Sequence, residues 1–265
     1  MKILVTETLS QEGLDLLSRH ATVDVRKGLS ENVLCEIIGD YDALVVRSTT
    51  QVTARVIEAG RNLQVIGRAG TGIDNIDVEA ATRHGVMVVN APTGNAVSVA
   101  EHTLALMLAL ARNIPQADCS LKGGCWDKRV LGGVELRHKT LGIIGLGRAG
   151  SAVARRAQAF EMTIVAYDPF VTQDYASRMG VVLVSLDRLL AESDFVSLHA
   201  PSTALTKGMI GERELALMKP TARLINCARG DLIDEAALLA ALNAGRIAGA
   251  GLDVFSREPP LDWEL

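Results

Sequence analysis

The chain has 265 residues, of which 48% are hydrophobic and 22% are charged, and its formal net charge is −4. This composition is typical of a globular protein with one large or two ordinary domains. The small negative charge gives no electrostatic reason to bind nucleic acid or a membrane surface, and no apolar run is long enough to span a bilayer. The N-terminus enters a strand directly, and four scattered cysteines lack metal-ligand spacing. We therefore predict a cytoplasmic protein with reduced thiols and no metal site.

The first part of the chain alternates short apolar strands with short helices. The predicted strands are residues 1–7, 21–26, 43–46, 63–66 and 86–89, and the predicted helices are residues 11–20, 31–38, 53–59 and 78–84. This alternation is typical of a parallel sheet covered by helices on both faces. We predict a doubly wound, flavodoxin-like substrate-binding domain over residues 1–92, followed by a hinge within the polar stretch 90–95.

Two arginines lie at predicted strand ends in this domain. Arg47 follows strand 43–46, and Arg68 belongs to the glycine-rich turn 67–72 after the next strand. Ligands of open α/β sheets bind at the carboxyl ends of the strands, so both arginines are candidates for binding an anion. Amides of the turn are candidates for a small anion such as a carboxylate. The alternative interpretation is a pair of solvated surface arginines.

An apolar helix and a polar segment are predicted after the hinge. Residues 96–113 carry apolar side chains at helical spacing with few charges, a pattern typical of a helix buried between domains or subunits. His102 lies in this helix and is interpreted as a core or interface histidine rather than a catalyst. Residues 120–139 are polar, contain Trp126, Lys128 and Arg129, and are predicted to form a surface arm.

A dinucleotide-binding fingerprint follows residue 140. Strand 141–144 leads into Gly145-x-Gly147-x-x-Gly150, then come helix 151–160 and strand 162–166. We predict that Gly145 permits a tight turn, that Gly147 lets a pyrophosphate approach the backbone, and that Gly150 lets helix and strand pack closely. The amides at the start of the helix would bind the phosphates. The alternative is a glycine turn used only for packing.

Asp168 completes this fingerprint, because it lies 18 residues after Gly150 (168 − 150) at the end of the second strand. It is predicted to accept hydrogen bonds from the adenosine ribose hydroxyls. Its negative charge would repel a 2′-phosphate, so NAD is favoured over NADP as the cofactor.

The remaining chain completes a Rossmann domain, predicted over residues 93–265. The further strands are residues 181–184, 195–198, 223–226 and 248–252, with helices at residues 186–191, 212–217 and 235–244. Together with the two strands of the fingerprint, these four strands give a six-stranded sheet. The predicted fold class is therefore α/β, with two doubly wound parallel-sheet domains.

Charged residues follow the last two strands. Arg229 lies beyond a strand end where the nicotinamide is expected, and an arginine there can hold a carboxylate bidentately and polarise the adjacent carbonyl. Glu258 precedes two prolines and is a candidate partner for a histidine base. Asp253 is a candidate for holding the nicotinamide amide. The alternatives are a salt bridge for Arg229 and a solvated loop acid for Glu258.

Five segments of the chain resemble the D-isomer-specific 2-hydroxyacid dehydrogenases: residues 67–77, 90–112, 141–150, 226–234 and 251–260. The resemblance covers nearly the whole chain. It implies NAD-linked oxidation of D-3-phosphoglycerate to 3-phosphohydroxypyruvate, the first step of serine biosynthesis, by a homodimer or homotetramer. Such a phosphorylated 2-hydroxy acid carries about three negative charges near neutral pH, which suits arginines at 47 and 68.

The resemblance also assigns roles to individual residues. It implies that Arg229 grips the substrate and that Glu258 is the partner of the catalytic histidine. The implied NAD contacts are Thr71, Arg148, Ala149, Asp168, Ala200, Cys227, Arg229 and Asp253. The implied substrate contacts are Arg47, Arg68, Gly70 and Asn95.

This chain departs from the family's pattern at the position of the catalytic histidine. That histidine lies in a Pro-His motif beyond the position of Glu258, whereas this chain ends at Leu265. We therefore expect a C-terminally truncated enzyme that lacks its base and the return segment of its first domain. Loss of a positioned base lowers the rate by about 10²–10⁴. His199 is not assigned as the base, because the family often has a polar residue there in addition to its catalytic histidine.

Two other functions are alternatives. A glyoxylate/hydroxypyruvate or D-lactate-type reductase would need less positive charge at Arg47 and Arg68. A non-catalytic NAD(H)-sensing binding protein would keep the glycine fingerprint but would not need Arg229 and Glu258 together.

Overall fold

The structure is a computed structural model that describes residues 1–126, 129 and 131–260. Its contacts divide the chain into two compact units, Met1–Asn95 and Ala96–Leu265. This division lies three residues (95 − 92) after the boundary predicted from the sequence. Each unit is built on a sheet whose strand pairs are all parallel among the described residues, so the predicted α/β class is confirmed.

The first unit contains five strands and four α-helices. The strands are β1 (Lys2–Val5), β2 (Thr22–Val25), β3 (Ala43–Val46), β4 (Val65–Arg68) and β5 (Met87–Asn90). The helices are α1 (Gln11–Ser18), α2 (Glu31–Ile37), α3 (Ala54–Ala59) and α4 (Val78–Arg83), with a 3₁₀ turn at Ile38–Asp40. The strand order β2-β1-β3-β4-β5 is that of flavodoxin-like sheets, as predicted.

Local sequence explains where these helices begin. Ser10, Ser30 and Asp77 cap α1, α2 and α4, each accepting a hydrogen bond from a first-turn amide. The core lies on both faces of the sheet, because β1 and β3 are apolar at consecutive positions and are covered by helices on either side. Residues that follow the strands are thereby held at one edge of the sheet.

Among its described residues, the second unit contains six strands and seven α-helices. The helices are α5 (Ala96–Ala111), α6 (Ile114–Lys122), α7 (Arg148–Gln158), α8 (Gln173–Arg178), α9 (Leu186–Glu192), α10 (Glu212–Leu217) and α11 (Glu235–Asn243). The strands are β6 (Thr140–Ile144), β7 (Thr163–Tyr167), β8 (Val182–Leu183), β9 (Phe195–Leu198), β10 (Arg223–Asn226) and β11 (Gly249–Leu252), and a 3₁₀ turn covers Gly230–Leu232. The order β11-β10-β9-β6-β7-β8 is that of a Rossmann domain, as predicted.

The long helix α5 packs on the sheet of its own unit. Its buried side chains include Ala100, Leu104, Met107 and Ala111, which recur at intervals of three and four residues along one face. Leu106 and Leu110 approach the backbone of β11, where Gly251 has no side chain. Among the described residues, no helix has both the length and the apolar character needed to span a membrane.

The surface arm predicted for residues 120–139 lies on the surface at its N-terminal end, where it is helical, but the prediction is wrong at its C-terminal end. Residues 120–122 form the last turn of α6, which has a proline in its first turn and Gly123 at its C-terminus. Leu136 is only 5% exposed and belongs to the hydrophobic core. Trp126 is 72% exposed, as expected of a surface arm. Lys128 lies outside the described residues.

Candidate functional site

The turn after β6 contains three glycines with different surroundings. Gly145 has a φ of +93°, and a Cβ on it would lie 2.8 Å from the backbone nitrogen of Ala200. A Cβ on Gly150 would overlap the carbonyl oxygen of Gly145. No described atom outside the adjacent residues lies within 4 Å of a Cβ built on Gly147. These surroundings are the ones that a tight turn, a close helix–strand contact and an open approach for a ligand require.

Helix α7 begins directly at this turn, with the exposed Gly147 as its N-cap and Arg148 and Ala149 in its first turn. Free amides and the positive end of a helix favour an anion such as a pyrophosphate. The first turn contains no acidic residue that would oppose an anion. The backbone at this position therefore fits the phosphates of a dinucleotide.

Asp168 follows β7 and is tied to the same turn. Its Oδ2 atom accepts a hydrogen bond from the Leu146 amide (2.8 Å), and its Oδ1 atom accepts one from the Phe170 amide (2.9 Å). These bonds fix the half-buried carboxylate beside the glycine turn. Each carboxylate oxygen has a further lone pair that can accept a ribose hydroxyl.

The loops after β10 and β11 are in contact. Asn226 fixes the first of them, because its side chain accepts a hydrogen bond from the Ala228 amide (3.0 Å) and donates one to the Arg229 carbonyl (2.8 Å). A Cβ on Gly230 would overlap the backbone at Phe255 and Ser256. Arg229 is thus half-buried on a loop that is held against the segment between Asp253 and Glu258.

Glu258 is exposed, and its Oε1 atom accepts a hydrogen bond from the Phe255 amide (3.2 Å). A different histidine, His102, lies beside a carboxylate, with its Nε2 atom 3.2 Å from Oδ1 of Asp253. Among the described residues, no histidine is paired with Glu258. The role of Glu258 as the partner of a histidine base stays a prediction.

His199 follows β9 and is partly buried. Desolvation lowers the pKa of His199 to about 4, so the imidazole is neutral near pH 7. Its Nε2 atom lies 2.9 Å from the hydroxyl of Ser197. Within the described part of the chain its Nδ1 atom has no hydrogen-bond partner and is closed off from solvent. A ring with one nitrogen bonded to Ser197 and the other closed off is poorly placed to accept a proton from a substrate.

In the first unit, Arg47 and Arg68 occupy neighbouring strand ends. Val46 and Arg68 are directly paired between β3 and β4, and Arg47 follows Val46. Arg47 is exposed and Arg68 is half-buried. Two cations at adjacent strand ends favour an anionic ligand.

The loop that carries Arg47 is held by two residues that the sequence did not reveal. Glu7 accepts hydrogen bonds from the amides of Arg47 (2.8 Å), Thr49 (3.1 Å) and Thr50 (3.0 Å). Asn75 donates to the carbonyls of Arg47 (2.8 Å) and Thr50 (2.7 Å). The only local signal for Glu7 was its position at the end of the first predicted strand.

The turn after β4 brings together the other residues predicted for this unit. The Arg68 guanidinium lies over Gly70, where any Cβ would overlap it. The Thr71 hydroxyl donates a hydrogen bond to the side-chain oxygen of Asn95 (2.5 Å), and Asn90 donates to the Thr71 carbonyl (2.6 Å). Gly70, Thr71 and Asn95 thus lie in one hydrogen-bonded loop cluster beside Arg68.

Comparison with known proteins agrees with this geometry. A sequence model described as D-isomer specific 2-hydroxyacid dehydrogenase, NAD binding domain, matches residues 104–265. Two curated relatives are named D-3-phosphoglycerate dehydrogenase. The relative from Synechocystis sp. is 51% identical over 258 residues, which cover 97% of this chain and 47% of the relative. The relative from Methanocaldococcus jannaschii is 53% identical over 266 residues, which cover 100% of this chain and 51% of the relative.

Two solved structures are similar over nearly the whole chain. A glyoxylate reductase from Paecilomyes thermophila is 33% identical with a TM-score of 0.92, over 100% of this chain and 84% of that chain. A D-lactate dehydrogenase from Aquifex aeolicus, complexed with NAD and lactic acid, is 32% identical with a TM-score of 0.85, over 97% of this chain and 78% of that chain. The chain spans about half the length of the curated relatives that it matches. It belongs to the D-isomer specific 2-hydroxyacid dehydrogenases and contains their NAD-binding domain.

Proposed function

We propose that this protein oxidises D-3-phosphoglycerate to 3-phosphohydroxypyruvate with NAD, as the first step of serine biosynthesis. The observation that carries the choice of substrate is the location of Arg47 and Arg68 at the ends of two adjacent strands of the first unit. A phosphorylated 2-hydroxy acid has about three negative charges near neutral pH, so two arginines suit it better than they suit lactate or glyoxylate. The names of the curated relatives support the same substrate.

The second unit supplies the proposed contacts to the cofactor. NAD, when bound, would supply the hydride acceptor for oxidation at C2 of the substrate. The open backbone at Gly147 and the first turn of α7 hold the pyrophosphate, and Asp168 orients the adenosine ribose. Ala200, Cys227 and Asp253 of the same unit are further proposed contacts to NAD, and the resemblance adds Thr71 of the first unit.

The chain's arginines would provide recognition and charge. Arg229 holds the substrate carboxylate bidentately and stabilises negative charge on the C2 oxygen. Arg47 and Arg68 hold the phosphate, with Gly70 and Asn95 as further substrate contacts. Glu258 is the proposed partner of the histidine that takes the hydroxyl proton, because a nearby carboxylate stabilises an imidazolium.

The direct test is NADH production by the 265-residue chain with D-3-phosphoglycerate, D-lactate and D-glycerate in parallel, together with NADH binding measured by fluorescence. Turnover of D-3-phosphoglycerate above the other acids supports the proposal. Turnover of only an unphosphorylated acid would move the assignment to a glyoxylate/hydroxypyruvate or D-lactate-type reductase. If NADH binds without turnover, the same assay on a chain extended beyond Leu265 distinguishes an enzyme from an NAD(H)-sensing protein.

Arg47→Ala tests the phosphate contact. We expect it to lower kcat/KM for 3-phosphohydroxypyruvate reduction by about 10- to 100-fold, because a charge-assisted contact contributes about 1.5–3 kcal/mol. Reduction of hydroxypyruvate, which has no phosphate, should change much less. Arg55→Ala is the matched control, since Arg55 is an exposed arginine of the same unit that pairs with Glu31. Equal losses with both substrates would remove Arg47 from the phosphate site.

We also propose that the protein is a cytoplasmic homodimer or homotetramer. This proposal rests on the family resemblance, and analytical ultracentrifugation of the purified chain tests the oligomeric state.

A further inference from the structure

Three side chains that can bind a transition metal lie together in the second unit, although they are far apart in the sequence. His102 lies on α5, Cys227 follows β10, and Asp253 follows β11. One ligand atom from each residue lies within 4.8 Å of the other two. His102 Nε2 and Asp253 Oδ1 are 3.2 Å apart. No spacing rule would have connected them, because 125 residues separate His102 from Cys227 (227 − 102).

These separations suit a tetrahedral metal. Zinc bonds to nitrogen, oxygen and sulfur are about 2.0–2.3 Å long, so tetrahedral ligands lie about 3.3–3.7 Å from one another. The histidine–aspartate pair is already close to that separation. The thiol would have to move by no more than about 1 Å, which is within the reach of a χ1 adjustment. Three protein ligands leave a fourth position open to water.

The surroundings of the three residues favour a fixed site with access from solvent. Cys227 is only 7% exposed and belongs to a hydrophobic core cluster of the second unit. The Asp253 amide donates to the Asn226 carbonyl (3.0 Å), which anchors the end of β11 to β10. His102 and Asp253 each expose about half of their side chains, so an ion can reach them. One ligand therefore lies on helix α5, and the other two lie directly after strands β10 and β11.

We propose that His102, Cys227 and Asp253 bind one zinc ion, and that this ion and NAD exclude each other. A thiolate and a carboxylate together neutralise the two charges of Zn²⁺, and the neutral imidazole completes a ligand set of the kind that zinc prefers. Binding breaks the S–H bond of Cys227 and releases its proton to solvent. The exclusion rests on the proposed function, because Cys227 and Asp253 are proposed NAD contacts. The metal site does not rest on it.

Release of the thiol proton can be measured directly. Calorimetric titrations with Zn²⁺ in two buffers with different ionisation enthalpies would show the release.

The metal site is tested with Co²⁺ and Zn²⁺ on the full chain. All variants carry Cys119→Ser and Cys125→Ser, because those two exposed thiols would bind metal by themselves. We expect one Co²⁺ per chain with a thiolate-to-cobalt charge-transfer band that Zn²⁺ abolishes. Cys227→Ser should remove the band. His102→Gln should weaken Zn²⁺ binding by at least tenfold, since even outer-shell changes cost about 10- to 100-fold.

His20→Gln is the matched control, because His20 is an exposed histidine of the other unit. It should leave metal binding unchanged. Near-ultraviolet circular dichroism shows whether each variant keeps its fold. Absence of the charge-transfer band, or equal Zn²⁺ affinity in His102→Gln and His20→Gln, would overturn the site.

Exclusion of NAD is measured separately, by NADH fluorescence titrations with and without Zn²⁺. At a free Zn²⁺ concentration ten times its Kd, the apparent Kd for NADH should rise about elevenfold. An unchanged Kd for NADH, with the cobalt band present, would overturn the exclusion and leave the metal site standing. Failure of NADH to bind in the absence of zinc would instead count against the proposed function.

Discussion

The carboxylate of Asp168 carries the proposed choice between NAD and NADP. Asp168→Ala removes its charge together with the hydrogen bonds to Leu146 and Phe170. We expect NADH affinity to fall by about 10- to 100-fold, since hydrogen bonds to a charged group contribute about 1.5–3 kcal/mol. Binding of NADPH should fall less, because repulsion of its 2′-phosphate disappears at the same time.

Asp168→Asn separates these two effects, because an asparagine keeps one acceptor oxygen and loses the charge. It should narrow the ratio of NADPH to NADH dissociation constants with a smaller loss of NADH affinity. Asp174→Asn is the control, since Asp174 is an exposed acid on α8 of the same unit. Unchanged affinity of Asp168→Ala for both cofactors would remove this residue from the cofactor site.

A site residue can be predicted from sequence when it belongs to a local motif. Asp168 follows a strand, a glycine turn and a helix in a fixed order, so its position near the turn follows from the motif. Glu7 and Asn75 have no such context, because their partners lie about 40 and about 25 residues away and meet them only in the folded sheet. The cluster of His102, Cys227 and Asp253 was missed for the same reason.

At the scale of single elements, two glycines of the turn after β6 have different proposed roles: Gly147 in binding the cofactor and Gly150 in packing. Gly147→Ala puts a methyl group into open space, at a backbone φ of −72° that alanine accepts. We expect at most about 1 kcal/mol of destabilisation, from the poorer N-cap, together with a clear loss of NADH affinity because the methyl group blocks the pyrophosphate. Fluorescence titration and thermal unfolding measure the two effects.

Gly150→Ala is the matched comparison, three residues along the same turn and helix. Its Cβ would overlap the Gly145 carbonyl, so the helix must shift. We expect a stability loss of about 1–3 kcal/mol, as for other overpacked positions. If Gly147→Ala kept full NADH affinity, the turn would be a packing feature and the assignment of the phosphate site would be wrong.

The loop after β3 depends on the charge of Glu7. Burial raises the pKa of Glu7, but hydrogen bonds from the amides of Thr50, Arg47 and Thr49 outweigh it, so the net shift is downward. A lowered folded-state pKa means that the carboxylate stabilises the protein above the unfolded-state value near 4.5 and that this stabilisation is lost as the pH falls. We therefore expect Glu7→Gln to cost about 1–2 kcal/mol at pH 7 and progressively less below pH 4.5.

Urea unfolding at several pH values measures this dependence. Glu58→Gln is the control, because Glu58 is exposed on α3 and should change the free energy of unfolding by no more than about 0.5 kcal/mol. A cost for Glu7→Gln that stays constant down to pH 3 would show that the charge of Glu7 does not hold the loop. Loosening of the loop should also raise KM for the phosphorylated substrate.

Strands and helices were predicted well where the pattern of apolar residues was clear, and less well elsewhere. Strands such as β3 and β10 were predicted to the residue, because each is a short run bounded by charged or polar residues. Helices α6 and α8 were missed, because both are short and mainly polar. The capping signals were nevertheless present, with a proline at the start of α6 and Thr172 before α8.

For the whole molecule, the alternation of strands and helices was enough to predict two doubly wound sheets. The strand orders could not be read from periodicity alone, but right-handed crossovers and the dinucleotide fingerprint leave few other topologies. Each of the four hydrophobic clusters formed by described residues draws its members from one unit. Since each unit has cores of its own, each can unfold as a cooperative body.

Calorimetry is therefore expected to resolve two unfolding transitions, with a calorimetric enthalpy larger than the van't Hoff enthalpy of the whole trace. NADH should raise the midpoint of the second unit's transition. At 100 times its Kd the cofactor contributes about 2.7 kcal/mol, which for a unit of 170 residues (265 − 95) corresponds to a rise of about 5–11 °C. A single two-state transition that moves as a whole with NADH would show that the two units unfold as one.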